Sequence, residues 1–232
     1  IRGLVEHRQV VDTPVPMMEV VSLLWSRRSF RHMAMGASLN AFSGYSISNW
    51  IASFMIRSHG MSTGELGTWL ALTIGLGGAV GVFCGALLAD RLAPRDKRWY
   101  MWLPALAGII CVPFTASTYL VAGAYTSLMM GIIPGILFNV YLGNTIATTH
   151  GLVGLRMRAL SSAILFLIIN IIGLGLGPWS IGMLSDYLEP SLGIESLRYA
   201  MLYLLPPIMF WSACHFFLAA RTLREDLAAA PQ

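Results

Sequence analysis

Charge is scarce in this chain. Only 11% of its 232 residues are Asp, Glu, Lys or Arg, against about 25% in a soluble globular domain. Together with 56% hydrophobic residues, that deficit excludes a soluble core of this size and points to an integral membrane protein. Cysteine is sparse too. Cys84, Cys111 and Cys214 each lie inside an apolar run, which excludes a disulfide framework or a thiolate metal centre and leaves them as packing residues. No metal and no cofactor is expected. The net charge of +4 is not a nucleic-acid footprint, because the basic residues sit in short segments flanking the apolar runs. The chain has no signal peptide. It opens at Ile1 in a polar stretch, which reads as a fragment or a processed piece.

What the sequence does have is long apolar runs. A membrane-crossing helix needs about 20 mostly apolar residues, and six candidates fit: about 33–56, 66–89, 99–118, 121–147, 159–185 and 197–219. Their length selects helices, because a barrel strand needs only about 10 residues and alternates in polarity. None carries Asp, Glu, Lys or Arg away from its ends. An intramembrane proton relay is built on such groups, so any coupling carboxylate is expected outside this chain.

Basic residues set the orientation. Arg2, Arg8, Arg27, Arg28 and Arg31 precede span one, Arg91, Arg95, Lys97 and Arg98 follow span two, Arg156 and Arg158 follow span four, and Arg221 and Arg224 close the chain. That places thirteen on one side and leaves only Arg57 and Arg198 on the other. Both termini are therefore expected in the cytoplasm, and the protein in the cell (inner) membrane. Residues 1–32 read as a cytoplasmic connector broken by Pro14 and Pro16. In it Val20, Val21, Leu23, Leu24 and Trp25 give a short helix an apolar face for the membrane surface. Residues 220–232 read as a cytoplasmic tail. On the outer side Ser62-Thr-Gly-Glu65 fits a capping box opening span two.

Span two ends in Leu87-Leu-Ala-Asp-Arg-Leu92 and span five in Met183-Leu-Ser-Asp-Tyr-Leu188. By the charge count the first ending lies inside and the second outside, as inverted-topology repeats require. Small and amide residues recur every four positions in span one (Gly36, Asn40, Gly44, Ser48) and span four (Gly131, Gly135, Asn139, Gly143). The fold expected is an all-α membrane bundle of six helices, arranged as a 3+3 inverted repeat.

The Asp90-Arg91 turn with Arg95, Lys97 and Arg98 resembles the cytoplasmic signature of the major facilitator superfamily, Gly-x-x-x-Asp-Arg followed by basic residues. It departs from that pattern in having Gly85 five residues before Asp90, with Ala86 at the glycine position, and Pro94-Arg95 where a glycine-led basic pair is usual. Gly44-Tyr-Ser-Ile-Ser-Asn-Trp50, Arg57-Ser-His-Gly-Met61, Gly173-Leu-Gly-Leu-Gly-Pro178 and Glu195-Ser-Leu-Arg-Tyr199 are similar to bacterial Spinster-like transporters. The resemblance covers about residues 20–225. It implies the C-terminal six-helix half of a twelve-helix carrier, proton-linked or facilitated, working with an N-terminal six-helix half from the same gene or a separate chain. The substrate it implies is an amphipathic organic or lipid-like molecule of lysophospholipid or sphingoid type.

On that reading Gly85, Asp90, Arg91 and Arg95 form a cytoplasmic gate, in which opening breaks a charge-assisted bond. Gly77, Gly81 and Gly85 make a stripe on which helices approach closely. Gly173, Gly177 and Pro178 weaken span five at mid-membrane, where a proline removes a backbone bond and gives a bend. Asn40, Tyr45, Asn49, Asn139, Tyr141, Asn144 and Asn170 are the candidate cavity residues, because amides facing lipid are costly and turn inward. Transport of small organic anions or drugs on the same fold is the alternative. Two remoter readings are a non-transporting receptor of the same fold and an intramembrane serine protease using Ser43 and His215, a dyad that needs hydroxyl and imidazole within hydrogen-bond reach.

Overall fold

A computed structural model describes residues 15–231, and among them every regular element is helical. Arg2, Arg8 and Pro14 lie outside the described residues. Seven helices follow in order: α1 (Met17–Ser26), α2 (Arg28–His59), α3 (Thr63–Leu92), α4 (Trp99–Leu120), α5 (Ala124–Gly151), α6 (158–192) and α7 (Ser196–Ala228). Four stretches are long and apolar enough to cross a membrane: Thr63–Leu92, Trp99–Leu120, Ala124–Gly151 and Leu155–Ala228. The count differs from six for two physical reasons. Asn40, Ser43, Ser46, Ser48 and Asn49 make α2 too polar to qualify despite its 32 residues. The stretch Leu155–Ala228 joins two apolar runs across a single 3-10 turn, Gly193–Glu195, opened by Gly193 at φ 55°.

Lipid tails are as apolar as leucine, so helices in a membrane gain little by hiding apolar surface from them and associate through close packing instead. Two glycine crossings supply it. On α3, a Cβ at Gly77 would stand 3.4 Å from the carbonyl carbon of Gly135, one at Gly81 would overlap the Ile136 carbonyl oxygen, and one at Gly85 would lie 2.9 Å from Val140 Cα. Gly135 of α5 answers with its own close approach, 2.7 Å from the Thr73 carbonyl oxygen. On α6, a Cβ at Gly173 would meet Ala41 at 2.8 Å and one at Gly177 the Phe42 carbonyl oxygen at 2.7 Å. Thus α3 lies on α5, and α6 on α2, backbone to backbone. The Trp50 indole N–H fastens the second crossing by donating to the Pro178 carbonyl at 2.9 Å.

Both glycine-bearing helices contain a π-helical segment just before their crossing. It runs Ala71–Leu76 in α3 and Asn170–Leu176 in α6, and each is followed by a 16-residue α-helix, Gly77–Leu92 and Gly177–Leu192. The bend expected around Gly173, Gly177 and Pro178 therefore takes the form of a wide turn, a feature found mostly at functional sites. Asp186 does not end its helix, which continues to Leu192. α5 is broken at Phe138–Asn139, one turn after Pro134. The break frees the Phe138 carbonyl, which accepts from Asn40 Nδ2 at 2.9 Å and ties α5 to α2.

The two ends of the described chain meet at one end of the bundle. The Ser29 N–H, one of the unpaired donors at the start of α2, donates to Asp226 Oδ2 at 2.8 Å, and Arg27 Nη2 donates to the Ala229 carbonyl at 2.5 Å. A carboxylate at a helix N-terminus and a guanidinium at a C-terminus each complement the local dipole. α7 thus continues as a braced helix to Ala228, past the expected start of the tail. α1 packs beside it. Val20 and Leu24 are fully buried against a cluster that includes Leu152, Val153 and Leu223, while Met17, Met18 and Trp25 face outward. The apolar face expected to meet the membrane is therefore split, its centre covered by protein. The capping box forms by half. Ser62 Oγ accepts from the Glu65 N–H, but the Glu65 carboxylate takes the Tyr125 hydroxyl instead of reaching back.

Gly81→Ala is expected to destabilise the protein by about 1–3 kcal/mol, the usual cost of overpacking, because the added methyl meets backbone. Gly67→Ala, whose Cβ has nothing within 4 Å, is the control. Thermal unfolding in detergent should show a lower midpoint for the first and an unchanged or higher one for the second.

Candidate functional site

Between α2 and α5 lies a cavity of about 370 Å3. Its rim is formed by Gly44, Tyr45 and Ser48 of α2 and Asn139, Tyr141 and Leu142 of α5, all at least partly exposed. Leu70, Thr73, Ile74 and Gly78 of α3 close one side, and Phe166 and Ile169 of α6 another. The deep wall is α4, where Thr115, Thr118 and Tyr119 are 2%, 5% and 1% exposed. Local structure explains the space. The break at Phe138–Asn139 turns α5 away from α2, and Gly44 makes room for the Phe138 ring, which lies 2.5 Å from where a Cβ would stand. No lining residue is an Asp, Glu, Lys, Arg or His. Such a wall solvates apolar groups and cannot balance a net charge, since an unpaired charge in a poorly hydrated site is heavily penalised.

Of the seven candidate cavity residues, Tyr45, Asn139 and Tyr141 line this space. Asn170 sits behind it and accepts the Tyr45 hydroxyl at 3.1 Å. The remaining three are occupied elsewhere. Asn40 bonds the Phe138 carbonyl, Asn144 is buried and donates to the Val140 carbonyl at 3.1 Å, and Asn49 is exposed and donates to the Tyr45 carbonyl at 2.8 Å. The α4 wall was missed because a search for amides and phenols passes over threonine. The available signal was Thr115 and Thr118, three residues apart and therefore on one helix face.

Asp90, Arg91 and Arg95 are exposed at the end of α3, and no hydrogen bond or ion pair joins them to the described residues. Gly85 lies further back, in the crossing with Val140. The paired acid at this end is Asp96. It accepts from the Arg98 N–H and Nε, each at 3.0 Å, and from Arg224 through Nε at 2.9 Å and Nη2 at 2.7 Å. Arg224 is on the tail end of α7, so this carboxylate pins the α3–α4 turn to it. Partial burial pushes the Asp96 pKa up, but the bonds from Arg98 and then Arg224 outweigh it and hold it at about 2. The Ser43–His215 dyad is not assembled. Ser43 donates to the Leu39 carbonyl at 3.3 Å, and His215 Nδ1 stands 3.1 Å from His32 Nδ1.

No family model matches the sequence. An MFS-type efflux pump of Mycolicibacterium smegmatis is 31% identical over 204 residues, 88% of this chain and 47% of that protein. A bacterial homolog of the human lysosomal transporter Spinster, in an inward-facing, unoccupied conformation, superposes with a TM-score of 0.73 at 25% identity, covering 90% of this chain and 51% of its own. The chain is a Spinster-like member of the major facilitator superfamily. An inward-facing, occupied structure of such a homolog gives 0.65 at 24% identity, over 88% and 50%. The chain thus spans about half the length of the relatives it matches. Those relatives are transporters and not enzymes.

The Asp96 brace has a defined pH window. Its folded pKa is depressed from 3.8 to about 2, so its stabilisation is complete above about pH 5 and is lost as pH falls through the two values. Asp96→Asn should remove it at every pH. Hydrogen exchange of residues 221–228 at pH 7 is expected to speed up in the variant and to match wild type near pH 2.

Proposed function

We propose that this chain is the C-terminal six-helix half of a secondary transporter that moves an amphipathic organic or lipid-like molecule by alternating access. The observation that carries the reading is the uncharged cavity between α2 and α5, apolar over most of its wall and polar at its rim. An acyl or other apolar segment fits it, with a polar headgroup held at Tyr45 and Asn139 or beyond them. Binding sites of carriers built from inverted repeats lie at such a repeat interface. The lysophospholipid or sphingoid type is the finer form of this proposal. A small organic anion is the alternative, and it would need a cation that this wall does not supply.

The six helices of the proposal are α2 to α7, arranged as α2–α4 and α5–α7. Three features support a 3+3 inverted repeat: the paired π segments, the matching 16-residue helices that follow them, and the exchange of partners in the two glycine crossings. The meeting of α2's start with α7's end supports termini on one side, which the basic residues assign to the cytoplasm of an inner-membrane protein. The missing N-terminal half would cover the exposed apolar faces of α3 and α6, among them Leu72, Phe83, Ile171, Leu174 and Trp179, together with lipid. It would also provide any proton-coupling carboxylate, and it would meet the gate residues Asp90, Arg91 and Arg95. Gly173, Gly177 and Pro178 would bend as the two halves rock.

The full-length protein in vesicles should carry a lysophospholipid and not a small organic anion. Gly131 lines the cavity and has nothing within 4 Å of its Cβ position. Gly131→Phe is therefore expected to fold normally and to cut that flux at least tenfold by filling the space. Unchanged flux in this variant, or transport of the anion alone, defeats the proposal.

A further inference from the structure

We infer that the deep wall of the cavity, where α4 meets α5, is a subsite for an uncharged hydroxyl group of the bound amphiphile. The inference rests on the reading of this cavity as a substrate site and narrows what enters it first. A purely apolar tail needs only an apolar floor. This floor is instead the most hydroxyl-rich part of the lining, with Thr115, Thr118 and Ser127 all buried.

The argument turns on which of these groups are committed. Thr118 donates to the Phe114 carbonyl at 3.0 Å and Ser127 to the Thr118 carbonyl at 2.6 Å. On the neighbouring wall Thr73 donates to the Trp69 carbonyl at 2.9 Å. Each has used its only hydrogen and keeps acceptor lone pairs. Thr115 is different. It is 2% exposed, and its Oγ1 has no hydrogen-bond partner among the described residues. Of the buried unpartnered side-chain atoms, it is the one that belongs to a cavity-lining residue. Buried polar groups are ordinarily satisfied, and one left without a partner calls for an explanation.

One uncommitted donor beside committed oxygens defines the chemistry. A ligand hydroxyl is both donor and acceptor, so it can take the Thr115 hydrogen and give its own to Thr118 or Ser127. A carboxylate, sulfonate or phosphate is excluded by the absence of any cation in the wall, and an ammonium by the absence of any carboxylate. The group lodged here is therefore neutral, and the ligand enters with a hydroxylated end foremost or carries a hydroxyl along its chain.

The test compares two probes of similar length, dodecan-1-ol and 1-chlorododecane, the second lacking a hydroxyl. Equilibrium binding of each is measured on the full-length protein in nanodiscs, with Thr115→Val and Thr115→Ser beside wild type. Val keeps the shape and loses the hydroxyl, and Ser keeps the hydroxyl. Wild type should prefer the alcohol, Val should bind it about fivefold more weakly with the chloride unchanged, and Ser should restore the preference; one neutral hydrogen bond supports a change of that size. Equal weakening of both probes in Val, or no preference in wild type, overturns the inference and leaves Thr115 as packing or the site of a resident water. Lysophospholipid flux is read in parallel. Flux without alcohol preference defeats the subsite alone, whereas preference without flux upholds the subsite and defeats the carrier reading.

Discussion

Everything in this bundle depends on two places where helices touch without side chains between them. Lipid gives helices no reason to associate beyond how well they fit, and the fit here comes from glycines, Gly77, Gly81 and Gly85 against α5 and Gly173 and Gly177 against α2. Each crossing draws one helix tightly onto a central partner. The two partners, α2 and α5, are thereby held from their outer sides and not by each other. Between them little is needed beyond the Asn40 bond to the Phe138 carbonyl, and the space that remains is the cavity. Close packing at the flanks and openness at the centre are two results of the same arrangement.

The π segments belong to this picture. A π turn widens the helix and shifts the register of its hydrogen bonds. In α3 it immediately precedes the first crossing glycine and carries Thr73 and Ile74 to the cavity wall. In α6 it begins at Asn170, the acceptor of the Tyr45 hydroxyl. The irregular turns therefore sit where the packed stripe gives way to the open site, and both the stripe and the site draw on the same helix.

Composition and run length were enough to read an all-helical membrane chain, because those properties follow from the bilayer alone. The glycine stripe on span two was also legible, since its spacing of four has one common use in a membrane. What escaped depends on partners far apart in sequence. Asp90 stands in a recognisable motif, but Asp96 is the residue that Arg224 reaches, 128 positions away, and no local pattern announces that. The break at Phe138–Asn139 lies inside an apolar run of unexceptional composition, and it matters because Asn40 is there to bond the carbonyl it frees. The amides were correctly judged to turn inward, yet most of them satisfy backbone groups and only some reach the cavity. A type of residue fixes the need for a partner without fixing which partner it finds.

The mutual capping of α2 and α7 sets an order of events during biogenesis. The bonds from Ser29 to Asp226 and from Arg27 to Ala229 join residues 197 and 202 positions apart. At a synthesis rate of about 5–20 residues per second, the start of the first long helix waits roughly 10–40 s for the residues that complete it. Until then its free amides must be served by water or lipid headgroups at the membrane surface. The last turn to leave the ribosome is thus the one that closes the first, and a nascent chain stopped short of it stays open at that end.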